Sequence, residues 1–200
     1  EDLATAFMKT LHGVAADPRA PAAKEGCESC HGAGSGHVNS GGGRGVAIRA
    51  FGKGSALNAE EKSAVCLDCH IKGKVKLWDG SSHEGRGLSC PDCHSIHGGN
   101  ETNLIARDEP EVCGRCHHQV ASQLNKTSRH PIKEGKITCS DCHNPHGTVA
   151  DKLISTNNLN EKCYECHTEK RGPFLWEHAP ATENCVVCHQ PHGSTHDKLL

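Results

Sequence analysis

Fourteen cysteines are spaced as seven Cys-x-x-Cys pairs, and histidine follows every pair at once. The copies are Cys27/Cys30/His31, Cys66/Cys69/His70, Cys90/Cys93/His94, Cys113/Cys116/His117, Cys139/Cys142/His143, Cys163/Cys166/His167 and Cys185/Cys188/His189. Two thiols on one short turn can add across the two vinyl groups of a porphyrin, and the next residue sets an imidazole beneath its metal. Attachment and proximal ligation then become one local event, which is the spacing of c-type haem. Structural zinc sites also use Cys-x-x-Cys pairs, but they give no reason for histidine to follow all seven. A redox-active dithiol would need a βαβ setting, and no strand–helix alternation is present. The spacing implies seven covalent haems c with no cysteine left over.

Seven irons call for seven further axial ligands. Ten histidines lie outside the motifs, against a single methionine, Met8, so His/Met ligation cannot be general and bis-histidine ligation is what the inventory permits. Odd motifs each carry one histidine upstream and one downstream: His12 and His37 about the first, His83 and His97 about the third, His130 and His146 about the fifth, His178 and His192 about the seventh. A histidine three places beyond a proximal ligand lies on that ligand's side of the haem. His97, His146 and His192 are therefore expected to serve neighbouring haems, while the upstream histidines fold back from Gly/Pro-containing segments. Eight candidates for seven haems leave one over, and the surplus falls to His192, nearest the C-terminus. His118 and His196 fit no repeat and read as exposed or propionate-bonded side chains.

Even motifs instead follow an Asn/Asp-x-x-Glu box, at Asn58/Glu61, Asp108/Glu111 and Asn158/Glu161, close to the capping box that opens a helix. The pattern divides the chain into two-haem repeats, about 1–78, 79–126 and 127–173, with a partial unit at 174–200. Positions inside the motifs, Asp92, Asp141 and Glu165, read as exposed turn residues. The Gly-rich run 41–45 reads as a surface loop, and Lys72, Lys74 and Lys76 as a solvated face that could also steer an acidic redox partner.

Composition sets the architecture that must hold these ligands. Apolar residues are 34% of the 200 and aromatics 3%, well short of the roughly 45–50% usual in globular domains. Porphyrin must supply the interior. The expected fold is short α-helices and irregular coil wrapped on a haem stack, with almost no β-structure, in one multihaem cytochrome domain. No stretch reaches the ~20 apolar residues of a membrane span, and nothing reads as a nucleic-acid surface. The opening at Glu1, without a charged and apolar leader, fits a mature exported protein.

Beyond the haem motifs the chain resembles a known family, the decahaem periplasmic cytochromes of outer-membrane porin–cytochrome conduits (MtrA/DmsE type). The resemblance is carried by Cys-His-Gly-Ala-Gly-Ser-Gly-His at 30–37, Trp-Asp-Gly-Ser-Ser-His at 78–83, Ser-Arg-His-Pro at 128–131, Cys-Ser-Asp-Cys-His-Asn-Pro-His-Gly at 139–147 and Arg-Gly-Pro-Phe-Leu-Trp-Glu-His-Ala-Pro at 171–180. It implies a periplasmic wire between an inner-membrane quinol dehydrogenase and an outer-membrane porin with its extracellular cytochrome. The family carries ten motifs and this chain seven, so it looks like a member without its last three haems.

Electron transfer needs closely spaced irons with both axial sites filled, and the histidine count provides them. A multihaem reductase of a small nitrogen or sulfur oxyanion would need an open iron face with a catalytic side chain beside it. No motif ends in lysine, and Tyr164, within the sixth motif, is the tyrosine at hand. A third reading is an extracellular filament, in which the surplus histidine ligates a haem of the next copy and drives self-association.

Overall fold

The computed structural model describes residues 2–98 and 109–200. The chain forms two compact units, Glu1–Arg107 and Asp108–Leu200, each built from short helices and turns. Among the described residues there is no sheet, only isolated bridges such as Ser128 with Ser194 and His143 with Ile154. The expected fold class is what the chain adopts. No described helix is long and apolar enough to cross a membrane.

In the first unit, α1 (Leu3–Met8) is opened by Asp2, whose carboxylate accepts the Thr5 backbone N–H at 2.9 Å. The chain then turns sharply into a 3-10 segment, Leu11–Gly13, that carries His12. Gly13 is required there, because a Cβ would lie 2.3 Å from the Phe7 carbonyl oxygen. The remaining helices are α2 (Glu28–His31), α3 (Ser35–Asn39), α4 (Ala59–Leu67) and α5 (Cys90–Cys93). The expected box at Asn58 is present in full: Asn58 accepts from the Glu61 N–H at 2.9 Å, and Glu61 accepts from the Asn58 N–H at 2.8 Å.

The second unit holds α6 (Glu109–Gly114), α7 (His118–Gln123), α8 (Cys139–Cys142), α9 (Leu159–Tyr164) and α10 (Ala179–Glu183), followed by a 3-10 turn, Cys185–Val187. Asn158 caps α9 by accepting from the Glu161 N–H at 2.9 Å, but the Glu161 carboxylate turns away to Arg171 at 2.7 Å, so this box is half formed. Asp108, of the third box, lies outside the described residues. The even motifs thus end helices of six to nine residues, whereas odd motifs sit on single turns.

Side chains fill little of the interior. The buried apolar residues are Phe7, Ala20, Trp78, Leu124 and Ile154, and no described side chain is completely covered. Leu175 and Trp176 are more than nine-tenths exposed. Polar interlocks take over part of the work. On each even helix, one turn before the first motif cysteine, a polar side chain receives a backbone N–H of the next odd motif. Ser63 on α4 accepts from Cys90 N at 3.4 Å. Glu109 on α6 accepts both the Ser140 N–H, at 2.8 Å, and its hydroxyl, at 2.6 Å. Asn160 on α9 accepts from Cys185 N at 3.0 Å, while its amide donates to the Ala181 and Thr182 carbonyls at 3.3 and 3.2 Å.

Asp92 and Asp141 are exposed but are more than turn residues, because each carboxylate accepts the N–H of the residue that opens its own motif helix, from Ser89 at 2.7 Å and Thr138 at 2.6 Å. Glu165 pairs with Lys162 at 2.5 Å. Residues 41–45 form an exposed turn with Gly41, Gly42, Gly43 and Gly45 at positive φ.

Because Asn160 is buried and satisfies three backbone groups at once, Asn160→Ala should cost about 1–3 kcal/mol. In a chain of this size that lowers the Tm by about 2–4 °C per kcal/mol, measurable by thermal unfolding of the holoprotein. An unchanged Tm would show the interlock to be redundant.

Candidate haem centres

The local geometry of each motif follows from its turn. In every described copy the histidine N–H returns to the carbonyl of the first motif cysteine, as in His31 to Cys27 at 3.0 Å and His167 to Cys163 at 2.9 Å. That bond curls the two thiols and the imidazole onto one turn. None of the fourteen cysteines is engaged in a disulfide.

Motifs adjacent in sequence are adjacent in space within each unit, and the contacts alternate. First cysteines meet in one kind of junction: the Cys66 and Cys90 sulfurs interact, which with burial pushes Cys66 up, while Cys90 is drawn down to about 6. Cys113 and Cys139 make the same contact with the same directions. Cys163 is pushed up to about 11 by burial and by Cys185 beside it. Second cysteines meet in the other kind, Cys30 near Cys69 and Cys142 near Cys166, both raised chiefly by burial at Cys30 and Cys142. The first unit therefore orders its motifs one, two, three, and the second four, five, six, seven.

The fourteen motif cysteines differ in exposure. Cys116, of the fourth motif, and Cys188, of the seventh, are exposed. What the structure gives each is its own turn: the Cys116 N–H returns to the Cys113 carbonyl at 3.2 Å, and the Cys188 N–H to Cys185 at 3.4 Å. Their place as haem attachment points rests on that turn and on motif spacing. Cys27, Cys69, Cys93 and Cys166 are exposed as well.

Four motif histidines each face a histidine from outside the motifs. His70 faces His12 with ring centres 5.8 Å apart and planes at 60°. His31 faces His97 at 5.8 Å and 22°. In the second unit His167 faces His130 at 6.3 Å and 52°, and His143 faces His192 at 6.0 Å and 23°. A metal bonded to two imidazole nitrogens at about 2 Å each, with a ring radius added on either side, sets ring centres about 6 Å apart. Burial, then the facing ring, holds His12, His97 and His192 below the usual imidazole range, which favours the neutral, ligating form.

The other ring nitrogen is also directed. Nδ1 of His31 donates to the Arg49 carbonyl at 2.7 Å, of His143 to Lys152 at 2.8 Å and of His189 to Lys198 at 2.9 Å. His130 donates likewise to Pro191 at 2.7 Å and His37 to Val46 at 2.8 Å. A proton fixed on Nδ1 leaves the Nε2 lone pair for a metal. The donor set, two thiols and an imidazole per turn with a second imidazole opposite at His31, His70, His143 and His167, fits covalent haem.

His83 and His94 are half-buried, His117 and His178 exposed, and His146 has its Nδ1 3.2 Å from Asn144 Oδ1. His118 and His196 are exposed. Tyr164 lies beneath the Arg171 guanidinium at 5.8 Å. Lys72, Lys74 and Lys76 are exposed, as expected. Sequence reasoning missed the carbonyl acceptors of Nδ1 and the polar interlocks. The one signal of the former is the recurrence of Asp-Lys-Leu eight residues beyond the fifth and seventh proximal histidines.

Comparison with known proteins agrees with this chemistry. The family model described as "Doubled CXXCH motif" matches residues 130–172 and 178–200, each stretch beginning on an upstream histidine, and "Cytochrome c-type protein NrfB-like" matches residues 27–109. The multiheme cytochrome MtrA of Shewanella baltica (strain OS185) is 46% identical over 178 residues, which is 89% of this chain and 53% of that relative. The chain thus spans about half the length of the curated relative it matches. With these matches and this identity, the chain belongs to the MtrA-type multihaem cytochromes.

Proposed function

We propose that the chain is a periplasmic electron carrier that holds seven haems c, each between two imidazoles, and relays electrons in motif order toward an outer-membrane or extracellular acceptor. The observation that carries this reading is the set of facing imidazoles, each joining a motif histidine to one from outside. A bound haem supplies a one-electron iron couple, which two imidazoles set at low potential. The cysteines fix each group covalently, and the alternating sulfur contacts bring consecutive motifs together, as relay along the chain requires. The MtrA resemblance supports quinol-oxidising and porin-associated redox partners and a periplasmic location.

In this reading His12 serves the second haem, His97 the first, His130 the sixth and His192 the fifth. The exchange is the same in both units: the upstream imidazole goes to the middle motif of a run of three, and the downstream one to the first. His192 is then a ligand rather than the surplus. His37, His83, His146 and His178 form the pool for the haems at His94, His117 and His189, with one to spare. Filled axial sites leave no face for an oxyanion, which favours carrier over reductase.

Intact mass before and after haem removal should differ by seven haems, and the ferric spectrum should be wholly low-spin. A bare polypeptide mass would overturn the assignment, and a high-spin haem that binds nitrite or cyanide would favour the reductase. His192→Ala and His97→Ala should each convert one haem of seven to high spin. If His192→Ala leaves the spectrum untouched, the ligand exchange is wrong. Gly193→Ala should act on the same haem as His192→Ala, because its Cβ would meet the Gln123 carbonyl oxygen at 2.1 Å, at a φ of +151°. EPR of the two variants side by side checks this.

A further inference from the structure

Five described residues other than glycine have positive φ: Ala47, Lys152, Leu153, Lys198 and Leu199. A side-chain-bearing residue crowds its Cβ against the following carbonyl there, so the conformation persists only where the surroundings over-determine it. Four of the five form two copies of one turn, Asp151-Lys152-Leu153 and Asp197-Lys198-Leu199. The fifth follows Val46, whose carbonyl receives the His37 Nδ1 proton.

The two turns are superimposable in their bonding. Lys152 stands at φ 57°, ψ 24° and Lys198 at φ 58°, ψ 27°, followed by Leu153 at φ 57° and Leu199 at φ 63°. The N–H of Ile154 returns to the Asp151 carbonyl at 3.2 Å, and that of Leu200 to Asp197 at 3.4 Å. Positive φ at both central positions is the hairpin turn that normally selects Asn-Gly. Lys-Leu is a poor choice for that backbone. The lysine side chains are exposed, so packing does not explain them.

What the turns do is present two successive carbonyls to two successive donors. Lys152 O accepts from His143 Nδ1 at 2.8 Å and Leu153 O from Asn144 N at 2.8 Å. Lys198 O accepts from His189 Nδ1 at 2.9 Å and Leu199 O from Gln190 N at 2.6 Å. An extended backbone sends successive groups to opposite sides, so it cannot make both bonds. The left-handed pair turns both carbonyls toward the motif. The even-motif histidine His167 has no such turn after it, and its Nδ1 lies 3.9 Å from the Glu169 carboxylate.

We infer that Lys152–Leu153 and Lys198–Leu199 are positioning residues for the fifth and seventh haems: their left-handed backbone holds a carbonyl on the proximal imidazole, fixing its tautomer and ring angle and strengthening it as a donor. This rests on the axial role proposed above for His143 and His189. A carbonyl on the ring nitrogen remote from the metal raises ligand basicity, so these haems sit lower in potential than they would with a free Nδ1–H. The lysine charge has no part in the effect.

The test compares Lys152→Val with Lys152→Asn in the haem-loaded chain. Both remove the charge, but valine resists positive φ whereas asparagine adopts it. Lys152→Val should raise one midpoint potential by an amount equal to about a tenfold change in its reduction equilibrium, 59 mV for one electron. Lys152→Asn should leave that midpoint where it is. In the fully reduced, diamagnetic protein labelled with 15N-histidine, the Nδ1 protons of His143 and His189 should exchange slowly with solvent and that of His167 fast. Lys152→Val should speed exchange at His143 alone. Equal shifts in both variants would assign the effect to charge, and fast exchange at His143 in the parent would remove the carbonyl bond; either overturns the inference. If Lys152→Val does not mature, the parent's exchange rates decide. A parent lacking haem would instead overturn the proposed function.

Discussion

The structure turns on a pair of imidazoles having to meet across about 6 Å from distant points of the chain. A motif places its own histidine by local hydrogen bonding within one turn. The opposing ring comes from another motif's flank, so each pair ties two segments together. His31 with His97 closes most of the first unit on itself, and His143 with His192 does so in the second. With five buried apolar residues among those described, such ties take over part of what a hydrophobic core supplies elsewhere. Loop closure costs little extra as loops lengthen, which makes a long-range imidazole pair, ligated as proposed, an efficient staple.

The peptide around these ties is organised to protect backbone polarity rather than to bury hydrocarbon. Ser63, Glu109 and Asn160 occupy corresponding places on three even helices, and each takes a backbone N–H of the following odd motif. Single-turn helices such as Cys90–Cys93 and Cys139–Cys142 cannot satisfy their own first N–H groups. Their own aspartates and a side chain from the preceding helix do it for them. The even helix is thus both a carrier of its motif and a cap for the next, which fixes the alternation of sulfur contacts along each unit.

This explains why the flanking histidines are shared in so regular a way. A downstream histidine three residues from its own proximal ligand cannot turn back to the opposite face, and the order of motifs presents it to an earlier motif in the run. His12 and His130, which precede the first and fifth motifs, face the histidines of the second and sixth. Glycine after His12 and His192 lets the backbone press against Phe7 and Gln123, so the rings are delivered by rigid close contact.

The amino-acid sequence by itself determined the attachment points, the odd–even alternation, the helix starts at Asn58 and Asn158, the scarcity of core and the absence of sheet among the described residues, because all of these depend on residue types at short, fixed spacing. It reached the idea that a downstream histidine must serve another haem, by local geometry alone. It could not say which haem, and its choice of His192 as the surplus rested on nearness to the chain end, whereas the folded chain sets that ring against His143. Nor could it foresee the carbonyls on Nδ1, since a backbone acceptor leaves no mark on residue type and Lys-Leu is not a sequence that announces left-handed backbone. Partner choice among the imidazoles was decided by tertiary structure, because it depends on which motifs lie side by side, and that is set by contacts between residues far apart in the chain.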